Sequence, residues 1–272
     1  MLGAGVGAAE GAPMEVEELT ILGGTDKDGR PEPVEELTLR PGDVVAIVGP
    51  TGSGKSALLR DVELLAQGDT VTGRRVLLNG ERPPEELRFD PERRLVAHVT
   101  QTMGFLADCS VREFVELHAE SRGVDVDPEE VIELANRFTG EPIHPDMHMT
   151  ELSGGQSRSL MIADVLLISD SPVVLIDEIE NAGIKKREAL EELTRHDRIV
   201  LLVTHDPAVA LRSDLRVVME NGAMVELVET SKREREVAEL LERLDAWWLE
   251  LRDRVRRGER LDDVEPPVGA QA

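Results

Sequence analysis

Three short stretches of the chain are wholly apolar and rich in branched residues: Val44–Val48 (VVAIV), Val173–Ile176 (VVLI) and Ile199–Val203 (IVLLV). Runs of this kind predict strands buried on both faces, as in a parallel sheet covered by helices on each side. An α/β core is the resulting expectation. The pattern changes between residues 105 and 150, where no such run occurs and helix starts dominate. Ser110-x-x-Glu113 reads as a capping box. Asp127-Pro128-Glu129 supplies an N-cap, a proline at the first helical position and an acid for the helix dipole. That segment is predicted to be a helical, strand-free insert between two parts of the α/β core.

Turn signals mark the rest of the chain. Asp28-Gly29 and Asn79-Gly80 predict hairpins, with Val76–Leu78 a short strand beside the second, and Leu215–Leu227 reads as a hairpin around Asn221-Gly222. A long helix is predicted from the capping box Ser231-x-x-Glu234 to Arg256-Arg257-Gly258. Along it Val237, Leu241, Leu244, Trp248, Leu251 and Val255 recur in steps of four and three, with Leu240 and Trp247 widening the stripe. The seam is too short to specify a coiled coil. Packing on the protein's own core is the preferred reading, and contact with a partner or second copy is the alternative.

Composition narrows the function classes. The 272 residues include 55 acids against 31 bases, a net charge of -24. Such a surface repels phosphate backbones and anionic lipid, so nucleic acid is not an expected partner. An acidic surface suited to a salty cytoplasm is a hypothesis that accounts for the excess. No apolar run approaches the roughly 18 residues needed to cross a bilayer, and no basic segment precedes an apolar one at the start. The expectation is a cytoplasmic chain without direct membrane insertion. Residues 1–13 are rich in glycine and alanine and are predicted to be disordered, with Met14 as an alternative start. The single cysteine, Cys109, has no partner for an internal disulfide.

Chemistry enters with Gly49-Pro50-Thr51-Gly52-Ser53-Gly54-Lys55-Ser56, which matches G-x-x-x-x-G-K-[ST] between a predicted strand and a predicted helix. Glycines let backbone N–H groups converge on phosphate oxygens, Lys55 reaches the β and γ phosphates, and Ser56 is expected to ligate Mg²⁺. A second apolar strand ends in Asp177-Glu178. Asp177 fits a ligand of Mg²⁺ through water, and Glu178 a base that orients and deprotonates the attacking water. A third ends at Val203-Thr204-His205, which puts His205 at the ligand-binding edge of the sheet as a γ-phosphate contact.

Leu152-Ser153-Gly154-Gly155-Gln156 completes the set. In the order phosphate loop, Gln101, LSGGQ, Asp177-Glu178 and His205, the chain resembles the ATP-binding cassette (ABC) ATPases from about Met14 to Leu227. That resemblance implies a P-loop NTPase of two lobes: a RecA-like core with an antiparallel β part, and a helical subdomain over about 102–165. The cassette would occupy 14–230, followed by an amphipathic helix at 231–258 and an acidic tail at 259–272. It implies that Gln101 senses Mg²⁺ and the attacking water. It also implies that two cassettes close head to tail on ATP, as a homodimer, with Ser153, Gly154, Gly155 and Gln156 of one chain facing the nucleotide held by Lys55 of the other. Separate transmembrane subunits are the further partners it implies, which would make the protein peripheral on the inner face of the membrane. The alternative is a soluble ABC ATPase acting on a protein or cofactor-assembly complex. A non-enzymatic nucleotide-gated scaffold is disfavoured by Glu178 and His205.

The chain departs from the family pattern at three places. Thr20–Pro33 contains no aromatic residue to stack on adenine. Asn181-Ala182-Gly183-Ile184 stands where the family commonly has S-A-L-D, and Ile179 replaces the proline that follows the glutamate. The His- and Met-bearing segment Pro142–Met149 matches no established ligand spacing and is read as a plain loop, so Mg²⁺ is the metal expected.

Overall fold

The computed structural model describes residues 15–89, 95–100, 108–177 and 185–264. Gln101, Glu178, Ile179 and Asn181–Ile184 therefore lie outside the described residues, as do the predicted segment 1–13 and most of the predicted acidic tail. Nine described strands form two sheets. β1 (Leu19–Leu22), β2 (Glu36–Leu39) and β4 (Arg75–Leu78) make a small antiparallel sheet with β1 in the middle. The large sheet comprises β3 (Val44–Val48), β5 (Val96–Val99), β6 (Val173–Asp177), β7 (Ile199–Val203), β8 (Leu215–Glu220) and β9 (Ala223–Glu229). Their spatial order is β5-β6-β7-β3-β8-β9, all parallel except the edge strand β9.

The apolar runs behave as a doubly covered sheet requires. Val44 and Ala46, Val174 and Ile176, and Val200 and Leu202 point into one hydrophobic core. Val45 and Ile47, Val173 and Leu175, and Ile199 and Leu201 point into the other. Each valine, leucine or isoleucine so buried stabilises by about 1.5–3 kcal/mol, which is why these strands carry no polar position to spare. The second core is closed by α1 (Lys55–Glu63), through Leu58, Leu59 and Val62, and by the small sheet. The first is closed by α3 (Val111–Arg122), α4 (Pro128–Phe138) and α5 (Gly154–Asp164), which form a helical lobe continuous with the sheet. α5 runs on into a π turn, Val165–Ser169, that stops at Asp170 with φ 48°. α2 (Glu85–Phe89) is a short surface helix, while α6 (Lys186–Arg195) and α7 (Pro207–Arg212) flank β7 in sequence.

The predicted caps form. Ser110 and Glu113, and likewise Ser231 and Glu234, exchange reciprocal hydrogen bonds, and Asp127 accepts from Glu129 N–H ahead of Pro128. The hairpin at Asn221-Gly222 forms between β8 and β9. Two expectations need correction. Asn79-Gly80 is a tight turn with both residues at positive φ, but it joins β4 only to an isolated bridge at Glu81 and not to a second strand. Pro83-Pro84 lack the N–H groups to continue a ladder, and the Asn79 side chain is bonded instead to the backbone of Glu15, Glu17 and Glu18. The second concerns α8 (Lys232–Arg256). Only Ala238 of this helix is buried, whereas Trp248 and Val255 are 62% and 58% exposed. Its apolar stripe faces α7 through Leu241, Leu244 and Trp247. Leu240 and Leu251 are half-buried too, and only Val237, Trp248 and Val255 of the stripe are exposed. Ion pairs do much of the docking, with Arg212 clasping Glu242 at 2.6 Å through two nitrogens and Arg216 meeting Glu234 at 2.6 Å.

Candidate functional site

The strand register brings the predicted site residues to one edge. β7 lies between β3 and β6, with Ile47 opposite Val203 and Val203 opposite Asp177. The loop that follows Ile47, the His205 that follows Val203, and Asp177 itself therefore emerge side by side at the C-terminal ends of parallel strands, where open α/β sheets hold ligands.

The loop after β3 has its backbone shape set by close packing. A Cβ at Gly49 would lie 2.4 Å from Met219 O, and one at Gly54 would lie 2.8 Å from Gly222 Cα, while Gly54 has φ 103° as the N-cap of α1. Neither position accepts a side chain. Lys55 is 7% exposed and bends its ammonium back over the loop, donating to Gly49 O at 2.8 Å and Pro50 O at 3.1 Å. The Ser53 hydroxyl is buried without a hydrogen-bond partner among the described residues, and Ser56 is exposed in the first turn of α1. Pro50, Thr51 and Gly52 form the exposed crown.

Asp177 is half-buried at the end of β6, and His205 is exposed directly after the buried Thr204. Thr204 Oγ1 accepts from Asp206 N–H at 3.0 Å. Asp206 in turn caps α7 through Ala208 N–H and accepts from Lys186 Nζ at 2.6 Å, so the backbone on either side of His205 is fixed. Ser56 and Asp177 offer a hydroxyl and a carboxylate, the oxygen ligands that Mg²⁺ takes.

The segment after Leu152 is built as a helix cap. Ser153 Oγ accepts from Gln156 N–H, Gln156 Oε1 accepts from Ser153 N–H at 2.9 Å, and Gln156 Nε2 donates to Pro142 O at 2.9 Å. Gln156 is thus buried and braces the loop, whereas Ser153 and Gly154 are exposed at the start of α5. Met149, one of the residues in the His- and Met-bearing loop, is buried, and the Met147 sulfur accepts from His144 N–H.

Charge singles out two helices. α3, α4, α6 and α8 each carry a glutamate in the first turn, as expected of so acidic a chain. Among described helices of eight residues or more, only α1 and α5 have no acid at the cap or in the first turn. Their positive N-terminal ends are left uncompensated, which suits anions.

Several contacts around the loop carry no local sequence signal. Lys27 donates to Gly52 O at 2.6 Å, Gly222 N–H donates to Ser53 O at 2.8 Å, and the fully buried Arg74 donates to Gly222 O at 2.6 Å. The turn at Asn221-Gly222 was readable, but nothing near it in sequence indicates that it packs behind the loop at residues 49–56.

Residues 35–181 match the model of the ABC transporter family. The chain is 58% identical over 250 residues to an uncharacterized ABC transporter ATP-binding protein of Methanocaldococcus jannaschii, covering 91% of this chain and 96% of that one. It is 32% identical over 228 residues to the macrolide export ATP-binding/permease protein MacB of Hyphomonas neptunium, covering 78% of this chain but only 34% of MacB. A solved ATP-binding subunit of an ABC transporter superposes with a TM-score of 0.59 at 23% identity, over 80% of this chain and 92% of that one, a likeness of fold.

Proposed function

The chain belongs to the ABC transporter family, and from that premise we propose that it is the ATP-hydrolysing subunit of a transporter, a cassette that closes on Mg²⁺-ATP against a second cassette. The observation that carries this reading is the pair of acid-free helix starts. In a chain of net charge -24, the two N-termini left positive among the described helices of eight residues or more are those of the phosphate-loop motif and of LSGGQ. Both suit the same polyanion. Their presence on two lobes supports an arrangement in which α5 of one cassette faces α1 of another.

In this reading the backbone N–H groups of Gly52 and Gly54 and the ammonium of Lys55 hold the β and γ phosphates. Lys55 exchanges its two carbonyl partners for phosphate oxygens. Ser56 and Asp177, with Gln101, would hold Mg²⁺, whose contribution when bound is to neutralise charge on the phosphates. Glu178 takes the proton of the water that attacks the γ phosphorus, and the bond to the bridging oxygen breaks to leave ADP and phosphate. His205 donates to the γ phosphate, where charge develops. Ser153, Gly154 and Gly155 would complete the partner's site. No described helix is long and apolar enough to cross a membrane. In this reading membrane-spanning partner subunits couple the cassette to transport.

Phosphate release from ATP by the purified chain tests the reading. Hydrolysis should require Mg²⁺ and fall about a hundredfold or more in Lys55→Ala and in Glu178→Gln. Glu178→Gln should also elute as a dimer from gel filtration with ATP and as a monomer without it. Hydrolysis unaltered by Lys55→Ala, or a Glu178→Gln chain that stays monomeric at saturating ATP, would overturn it.

A further inference from the structure

We propose that Lys27 and Arg74 are positioning residues for the phosphate loop: through the hairpin tip at Gly222 and the crown carbonyl at Gly52 they fix the direction in which the loop's amides point. The inference rests on the nucleotide reading of that loop. It assigns part of the affinity for the triphosphate to the antiparallel part of the molecule, 18 or more residues away in sequence.

The geometry is a two-point clamp. On one side, Gly222 N–H donates to Ser53 O at 2.8 Å, and Gly222 Cα blocks any side chain at Gly54. The carbonyl of the same Gly222 accepts from Arg74 Nη2 at 2.6 Å. Arg74 is fully buried. Its Nε lies 2.7 Å from Glu32 Oε1, and its Nη1 donates to Asp61 Oδ2 at 3.0 Å. Asp61 belongs to α1, so one guanidinium joins the helix that follows the loop to the turn that backs it. Glu32 extends the tie by accepting from Gly24 N–H at 3.0 Å and from Met224 N–H at 2.7 Å. On the other side, Lys27 gives twice: its backbone N–H to Asn221 O at 2.9 Å and its ammonium to Gly52 O at 2.6 Å.

These contacts matter because the C=O and N–H of one trans peptide point in opposite directions. Holding Ser53 O against the hairpin turns Gly54 N–H away from it. Holding Gly52 O toward Lys27 turns Ser53 N–H the other way, toward Pro50 O at 3.1 Å. A crown peptide that rotated would present an oxygen where a phosphate needs a donor. A buried guanidinium between two carboxylates is seldom more stable than apolar residues of the same volume, so its use here is better understood as geometric specification.

Lys27 is exposed, so its substitution leaves the cores untouched. The experiment measures binding of a fluorescent ATP analogue, together with KM, kcat and thermal melting, for wild type, Lys27→Met and Lys27→Arg, at low salt and in about 0.5 M KCl. Lys27→Met is expected to weaken ATP binding and raise KM by about three- to tenfold, with kcat and melting temperature near wild type. Lys27→Arg should restore most of the loss, and the loss should persist in high salt. Arg74→Lys, which keeps a cation but not three fixed contacts, should weaken ATP binding in a chain whose circular dichroism is still native. If wild type binds ATP and Lys27→Met binds it equally well, the proposal is wrong. It is equally overturned if the loss vanishes in high salt, since the charge then acts at a distance. A wild-type chain that binds no ATP would instead remove the nucleotide reading beneath it.

Discussion

At the scale of single residues, two glycines of the same loop allow steric contact to be separated from backbone strain. Gly52 and Gly54 both sit at positive φ, 79° and 103°. A methyl group at residue 52 meets nothing within 4 Å, whereas at residue 54 it meets Gly222 Cα at 2.8 Å. Gly52→Ala is therefore expected to show only the left-handed penalty, about 1–2 kcal/mol. Gly54→Ala adds a backbone collision that neither neighbour relieves without moving the hairpin, so its loss should exceed that of Gly52→Ala by at least ~1 kcal/mol. Its ATPase activity should fall by about tenfold or more, because Gly54 N–H and Lys55 move with the loop. Urea unfolding of the two variants makes the comparison. Equal losses would mean that the hairpin yields freely and does not brace the loop.

At the scale of elements, α8 is held by its cap and its ion pairs as well as by its packing on α7, which makes it sensitive to acid. The Glu234 carboxyl is kept below the usual glutamate range by Ser231 N–H, then by the Ser231 hydroxyl and Arg216. A carboxylate with a lowered folded-state value contributes its full stabilisation above the ordinary value of about 4.3 and loses it as the pH falls through the lowered one. Glu113 at the start of α3 is lowered in the same manner by Ser110. Both tryptophans, Trp247 and Trp248, lie on α8 in a chain without tyrosine, so their emission reports on this helix. Acid titration should shift that emission below about pH 4.3, and Glu234→Gln should remove part of the shift by loosening the helix already at neutral pH. Coincident acid limbs for the two proteins would show that the cap does not hold α8. This cap was legible in the sequence because Ser231 and Glu234 are three residues apart, as were Ser110 with Glu113 and the three apolar strands. What was not legible depends on distant parts meeting. That Ile47, Val203 and Asp177 share one row, that the Asn221-Gly222 turn backs the loop at Gly54, and that Val237, Trp248 and Val255 of the α8 stripe stay exposed are facts of strand order and packing, for which a local pattern carries no signal.

At the scale of the whole molecule, charge sets the terms on which the site works. Among the described residues the buried acids are matched: Glu32 and Asp61 face Arg74, and Asp164 meets His118 at 2.5 Å. The excess of 55 acids over 31 bases is consequently a surface property, and it acts as self-repulsion in the compact state. Two opposing effects of salt follow. Added KCl weakens exposed pairs such as Arg187 with Glu191, but such pairs contribute only about 0–1 kcal/mol each. It also screens the repulsion among the unpaired carboxylates, as the screening length shrinks from about 10 Å at 0.1 M to about 3 Å at 1 M. With 24 more acids than bases the second effect should win, so the melting temperature is expected to rise with KCl between about 0.05 and 0.5 M and then level off. The same screening should let an anionic nucleotide approach more readily, so KM for Mg²⁺-ATP should not increase over that range, although salt ordinarily weakens binding of a polyanion to a cationic loop. Potassium chloride is the salt to use, because sulfate would strengthen apolar burial on its own account and obscure the sign. A melting temperature that falls as KCl is added would place the dominant electrostatics in the surface pairs and refute the repulsion argument.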